Sequence, residues 1–191
     1  MPPLILASTS RYRQELLARL RLPFACVAPH VDEAALPGEA PAALAERLAL
    51  AKARAVAALH PDAIVLGSDQ VADLAGEALG KPGTHDAAAA QLRRMSGREV
   101  VFQTAVAVVA PGLAAIERAE VRVTVRALTD AAIETYLQAD QPYDCAGSAK
   151  VESLGIALLD SVVSDDPTAL IGLPLIRTCA LLRRAGLEPL A

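Results

Sequence analysis

A chain of 191 residues, 53% hydrophobic but only 3% aromatic, is long enough to bury a sizeable core, and that core is built of Ala, Leu and Val. The net charge of −4 argues against a nucleic-acid polymer as partner, because such proteins carry a basic footprint; it leaves room for a small anion held by a few placed cations. Met1-Pro-Pro leads straight into Leu4 without a basic segment or an apolar run of signal-peptide length, and no stretch nears the ~18 apolar residues of a membrane span. Cys26, Cys145 and Cys179 are odd in number, far apart and without a CxxC, and His30, His60 and His85 lack metal-ligand spacing. Reduced thiols in a cytoplasmic protein, with no zinc site, are therefore expected. Of 18 basic residues only Lys52, Lys81 and Lys150 are lysines, which marks each as a position where a compact ammonium, such as a phosphate contact, is wanted.

In chain order, Leu4–Ala7 reads as a buried strand followed by Ser8-Thr-Ser10 and a helix carrying Leu16, Leu17 and Leu20 at helical spacing. The serines are N-cap candidates, and a strand, a hydroxyl-rich turn and a helix N-terminus together form an anion site to which Arg13 adds a forked donor. An ordinary capped helix with exposed arginines is the competing reading. Phe24–Ala28 is a second strand ending at Pro29-His-Val-Asp32-Glu33, where the paired acids either ligate a hard cation or are simply solvated. A helix then runs from Pro41 to about Leu59 with an apolar stripe of Leu44, Leu48, Ala51, Ala55 and Leu59. Lys52 falls within that stripe, so its ammonium must snorkel to solvent or meet an anion.

The stretch Ala63-Ile-Val-Leu-Gly-Ser-Asp69-Gln-Val is central. Its apolar run predicts a strand buried on both faces, broken by small residues, with Asp69 at the carboxyl end where open α/β sheets place ligand chemistry. Ala75-Gly76, flanked by Leu74 and Leu79, predicts a hairpin tip that folds Lys81 back toward Asp69. An acid and an ammonium beside glycines serve either a metal and a phosphate or a strand-end salt bridge.

Beyond it, Thr84 starts a helix to about Met95, Val100–Val109 is an apolar strand holding Gln103 and Thr104, and Pro111-Gly112 turns it into Ile116–Arg126. There Val121, Val123 and Val125 alternate with Arg122, Thr124 and Arg126 as in a half-exposed antiparallel strand. Thr129 caps a short helix around Tyr136, Asp140–Ser153 is a polar segment, Ile156-Ala-Leu-Leu159 reads as a short strand, and Asp166-Pro167 and Gly172-Leu-Pro174 start helices, the last ending at Gly186. Gly76-Glu-Ala-Leu-Gly80-Lys81-Pro82 is one residue short of a phosphate-binding P-loop and lacks its Ser/Thr, and no GxGxxG is present. One α/β domain over residues 1–191 with a mixed sheet is the expectation.

Ser8-Thr-Ser-Arg-Tyr12-Arg13-Gln-Glu, Val31-Asp-Glu33, Lys52, Gly67-Ser-Asp69-Gln70-Val, Gly80-Lys81-Pro82 and Ile171-Gly-Leu-Pro174 resemble, in order and over nearly the whole chain, the Maf nucleotide pyrophosphatases. Gln70 and Cys145-Ala-Gly-Ser-Ala-Lys150-Val-Glu152 look like the subgroup acting on 7-methyl-GTP; the dTTP/UTP subgroup has a Thr after the aspartate and a Gln at the position of Glu152. Arg11 replaces a common Pro, and Tyr12 stands where Trp is usual. The resemblance implies an elongated mixed sheet flanked by helices with a central cleft between two lobes, and a homodimer. It further implies cleavage between the α and β phosphates, dependent on Mg²⁺ or Mn²⁺, with release of pyrophosphate. Asp69 becomes the proton acceptor, Glu33 and Asp69 the metal ligands, Arg13, Lys52 and Lys81 the triphosphate contacts, and Ser8 a phosphate-oxygen ligand. Glu152 is assigned to the guanine edge, Lys150 to a place nearby or on phosphate, Tyr12 to the base face and Gln70 to the pocket wall. A pyrophosphatase for dTTP/UTP or for deaminated purine triphosphates such as ITP, and a non-catalytic nucleotide-binding regulator of cell division, are the alternatives.

Overall fold

The computed structural model of the chain describes residues 2–191. Seven strands form one mixed sheet: β1 (Leu4–Leu6), β2 (Phe24–Cys26), β3 (Ile64–Leu74), β4 (Glu77–Leu79), β5 (Glu99–Ala110), β6 (Leu113–Val125) and β7 (Leu159–Ser164), in the order β2-β1-β3-β5-β6-β7 with β4 paired to β3. Five helices flank it: α1 (Arg11–Ala18), α2 (Pro41–Ala57), α3 (His85–Met95), α4 (Asp130–Asp140) and α5 (Leu175–Arg184). This is the mixed α/β sheet flanked by helices that the sequence predicts.

β1 lies parallel between β2 and β3, so the chain leaves it first to one side and then returns on the other. That reversal of strand order opens a crevice at the carboxyl end of β1, the usual ligand position in such sheets. Leu6, Leu66 and Val106 pack with Leu16 and Leu17 of α1 and Leu181 and Leu182 of α5, while Val65, Ala105 and Ala107 pack with Leu48, Ala49 and Ala53 of α2 on the other face. A third core joins Ala72, Leu74 and Phe102 to Leu92 of α3 and Ile133 and Leu137 of α4. The long β3, β5 and β6 thus pass through two lobes.

Three expectations need correction. β3 does not stop at Gly67-Ser68; it continues to Leu74 because β5 pairs with it antiparallel from Val65 to Asp73, and Asp69 therefore sits within the strand, just beyond the Leu66 end of its pairing with β1. Gly67 answers a different demand: a Cβ there meets the Ala49 carbonyl oxygen at 2.2 Å and the Ala53 nitrogen at 2.6 Å, so only glycine lets α2 lie this close. The buried face of α2 is accordingly Leu44, Ala45, Leu48, Ala49, Lys52, Ala53 and Val56, not the stripe ending at Leu59, which is exposed. Finally, Leu154–Leu158 is a 3₁₀ turn and β7 begins only at Leu159; Asp140 accepts from Ser153 Oγ at 2.8 Å and Gly155 N at 3.2 Å, which holds the turn and leaves Ile156 exposed. The predicted hairpin tip is present, with Ala75 and Gly76 both at positive φ, as a two-residue turn of this twist requires.

Candidate active site

A cleft of about 720 Å³ opens over the carboxyl end of β1, lined at one end by Ser8, Arg13, Glu33, Lys52, Asp69 and Lys81, and at the other by Tyr12, Asp144, Cys145 and Glu152. It is built from the turn after β1. Ser10 caps α1 through the Arg13 N–H, and the buried Ser8 hydroxyl oxygen accepts from the Ser10 N–H at 3.1 Å. Arg13 is half-buried rather than exposed, its Nε donating to the Gly172 carbonyl at 2.9 Å. Burial pulls its guanidinium down from the usual range, and Asp69 and Glu33 oppose that.

Side chains of β3 alternate between the two faces of the sheet. Gly67 and Asp69 face α2, and Lys52, one turn from Ala49 and beside Ala53, reaches across: its ammonium donates to Asp69 Oδ1 at 2.7 Å and lies 2.6 Å from Glu33 Oε1. The Lys52 side chain is 5% exposed, Asp69 10% and Glu33 49%. Of the two alternatives for a lysine on an apolar stripe, the structure has the anion, twice. Asp32 takes no part; it accepts from the Ala34 N–H at 2.9 Å. Partial burial raises the Glu33 carboxyl, but the Lys52 hydrogen bond and the charges of Lys52, Lys81 and Arg13 outweigh it and hold it below the usual range. Lys81 is exposed at the mouth.

The other face of β3 anchors a turn almost a hundred residues later. Gln70 Nε2 donates to the carbonyls of Ala169 at 2.8 Å and Leu170 at 3.0 Å, Thr104 Oγ1 donates to Ala169, and Ser68 Oγ lies 3.0 Å from the Gly172 carbonyl. The fully buried Asp166 fixes the start of that turn by accepting from Thr168 Oγ1 and the Arg177 N–H. Ser68, Thr104 and the 169–172 carbonyls were not identified from sequence as site residues; polar Gln103-Thr104 within an apolar strand was the available signal.

At the far end, Tyr12 is half-buried, and burial raises its hydroxyl above its ordinary value, with Cys145 and Asp144 adding to the effect. Lys150 Nζ donates to the Asp140 carbonyl at 3.0 Å and stands 3.7 Å from Asp144 Oδ1. Glu152 faces the cleft, and burial raises its carboxyl above the usual range. No ion pair joins Glu152 to Lys150 within 4 Å among the described residues. Burial pushes the Cys145 thiol up to about 12, so it stays protonated and is a poor nucleophile.

Two carboxylates converging on one cationic point suit a hard divalent cation, which takes one or two carboxylates and draws its remaining ligands from phosphate oxygens and water. Among the described residues no group of three or more His, Cys, Asp or Glu is placed to hold a metal. No described helix is long and apolar enough to cross a membrane.

With this fold and cleft in view, the chain belongs to the Maf family: the family model described as Maf-like protein matches residues 3–185. Among individual proteins it is similar to a 7-methyl-GTP pyrophosphatase of Polaromonas sp., 67% identical over 96% of this chain and 85% of that protein. Proteins of the same name from Albidiferax ferrireducens, 63% identical over 98% of this chain and 95% of the relative, and Bordetella pertussis, 62% identical over 99% and 95%, are also similar.

Proposed function

We propose that this protein is a nucleoside triphosphate pyrophosphatase that hydrolyses 7-methyl-GTP to its monophosphate and pyrophosphate. The observation that carries the reading is the Lys52 ammonium shared by Asp69 and Glu33 at one end of a cleft whose other end holds an aromatic ring and a free carboxylate. The relatives' names and the family match support it.

Asp69 accepts the proton of the attacking water and aims that water at the α-phosphorus. Arg13, Lys52 and Lys81 hold triphosphate oxygens, the lysines as point charges and the arginine as a fork. Ser8 and the first-turn N–H groups of α1 take phosphate oxygens. Glu33 and Asp69 would hold a divalent cation, Mg²⁺ or Mn²⁺, which acidifies water and neutralises charge on the leaving pyrophosphate. Glu152 takes the guanine N1–H and N2 amine, and Tyr12 covers the base. The enzyme acts as a homodimer in the cytoplasm, where its three free cysteines remain reduced.

The test is pyrophosphate release across 7-methyl-GTP, GTP, UTP, dTTP and ITP with Mg²⁺ and Mn²⁺, on the wild type and on Asp69→Asn. The expected result is highest kcat/KM on 7-methyl-GTP and a folded variant slowed by ~10²–10⁴ or more. Near-normal turnover by the variant removes Asp69 from the reaction.

A further inference from the structure

Two segments outside the strands and α-helices carry opposite rims of the cleft. Gly80-Lys81, after β4, lines the phosphate end, and the segment from Asp144 to Ala149 lines the base end just ahead of Glu152. Both are fastened to one side chain that does not line the cleft. Gln91 projects from α3, whose Ala88, Leu92 and Met95 are buried in the core of that lobe. Its Nε2 donates to the Gly80 carbonyl at 3.0 Å, and its Oε1 accepts from Ser148 Oγ at 2.6 Å. A carbonyl can only accept, so the Gly80 contact fixes which way the amide points and leaves its oxygen to the serine. Among the described residues no other side chain hydrogen-bonds to residues 80–82.

The serine end is equally constrained. Ser148 is fully buried at φ 55°, a left-handed conformation uncommon for a residue with a Cβ. Gly147 before it stands at φ 67°, and a Cβ there would come within 3.0 Å of Ala72 Cβ. A conformation of this kind persists only where its surroundings hold it, and the Gln91 amide takes the hydroxyl's hydrogen bond. A second tie, from the Gly83 N–H to the Tyr143 carbonyl at 2.9 Å, joins the same two segments at residues that do not line the cleft.

We propose that Gln91 is a positioning residue that holds the Lys81 loop and the Ser148 turn at a fixed separation, so that the phosphate grip and the base pocket fit one nucleotide at once. The assignment rests on the pyrophosphatase reading and adds to it a mechanical link between the two ends of the site. Gln91 itself touches no substrate. It acts through Lys81 on one side and through the segment leading to Glu152 on the other.

The experiment measures kcat and KM for 7-methyl-GTP, with inhibition by magnesium pyrophosphate as the probe of the phosphate rim and inhibition by 7-methylguanosine as the probe of the base rim. Gln91→Met fills a similar volume without hydrogen bonds. It is expected to weaken both inhibitors about three- to tenfold, the range of one net hydrogen bond, and to raise KM more than it lowers kcat. Ser148→Ala leaves the Gly80 contact in place and should weaken 7-methylguanosine alone. In a Lys81→Ala background, Gln91→Met should no longer change pyrophosphate inhibition, because its effect there runs through that lysine. Gln91→Met with wild-type inhibition by both ligands overturns the assignment. So does a pyrophosphate loss that persists undiminished without Lys81, since it shows a strut of general structural effect. Should Gln91→Met not fold, Ser148→Ala decides: unchanged inhibition by 7-methylguanosine overturns the link. A wild type that releases pyrophosphate from no nucleotide overturns the pyrophosphatase reading and this assignment together.

Discussion

Lys52 of α2 and Asp69 of β3, 17 residues apart in the chain, meet at 2.7 Å, and both side chains are nearly removed from water. Such a pair contributes little net stability because desolvation offsets attraction, but removing one partner strands the other charge. Lys52→Met is therefore expected to lose turnover and also to lose about 3–5 kcal/mol of stability, even though Met fills the lysine stem. The double variant with Asp69→Asn should recover part of that loss, since the buried carboxylate is gone and only the half-exposed Glu33 is left without its lysine. Urea unfolding of the four proteins decides the matter, and a Lys52→Met single variant as stable as the parent refutes the pair.

The same meeting depends on an absent side chain. Gly67→Ala puts a Cβ 2.2 Å from the Ala49 carbonyl oxygen, so α2 must lift from β3, carrying Lys52 with it. Overpacking of this kind costs about 1–3 kcal/mol, and turnover should fall alongside thermal stability. Gly80→Ala, where an added Cβ meets nothing within 4 Å, is the stability control; equal melting of both variants contradicts the close approach.

Gln70 donates to two carbonyls of the turn at Ala169 and Leu170, which in turn places Gly172 against Arg13. Its replacement by Ala takes the side-chain donor from the Leu170 carbonyl, while Ala169 keeps Thr104 and the Gly172 N–H, at a cost of about 1–3 kcal/mol. Hydrogen exchange at Ile171 and Gly172, whose N–H groups close the turn, should quicken, and KM should rise. Unchanged exchange there would show that the Gln70 contacts do not hold the turn.

How much of this was legible in the chain follows the range of the interactions. Ser10 as a cap, Thr84 and Thr129 as caps, and the Ala75-Gly76 tip are local devices, and the structure has each. Lys52 stood out because a charge on an apolar helical stripe needs an anion or an exit. Its partners were not readable from α2, since Glu33 and Asp69 arrive from separate loops and strands. Gly67 and Ser68 looked like a strand end because small polar residues weaken strand propensity; pairing with β5, more than thirty residues on, overrides that. The exposed Ile156 shows the opposite failure, an apolar run whose conformation is set by hydrogen bonds to Asp140. The family motifs compensated where spacing alone could not, by bringing Ser8, Arg13, Asp69 and Lys81 into one expectation.

Glu152 gives the last prediction. Its carboxyl is raised above its ordinary value of 4.5 by burial, with Asp140 and Asp144 adding to the effect and Lys150 opposing it. A raised carboxylate behaves oppositely to Glu33: the fold favours its neutral form, so it weakens stability above the raised value and that loss disappears as pH falls through it. Recognition runs the other way. The guanine donors N1–H and N2 need an ionised acceptor, so kcat/KM for 7-methyl-GTP should decline on the acid side as Glu152 takes its proton, while UTP, which lacks that edge, should not share this limb. Glu152→Gln keeps one acceptor oxygen and turns a donor against the base. It should lower kcat/KM on 7-methyl-GTP roughly 10–100-fold, the range of a good bidentate base contact, spare UTP, and remove the acid limb. Paired pH profiles of the two nucleotides on wild type and variant make the measurement, and parallel losses on both would show that Glu152 does not read the base.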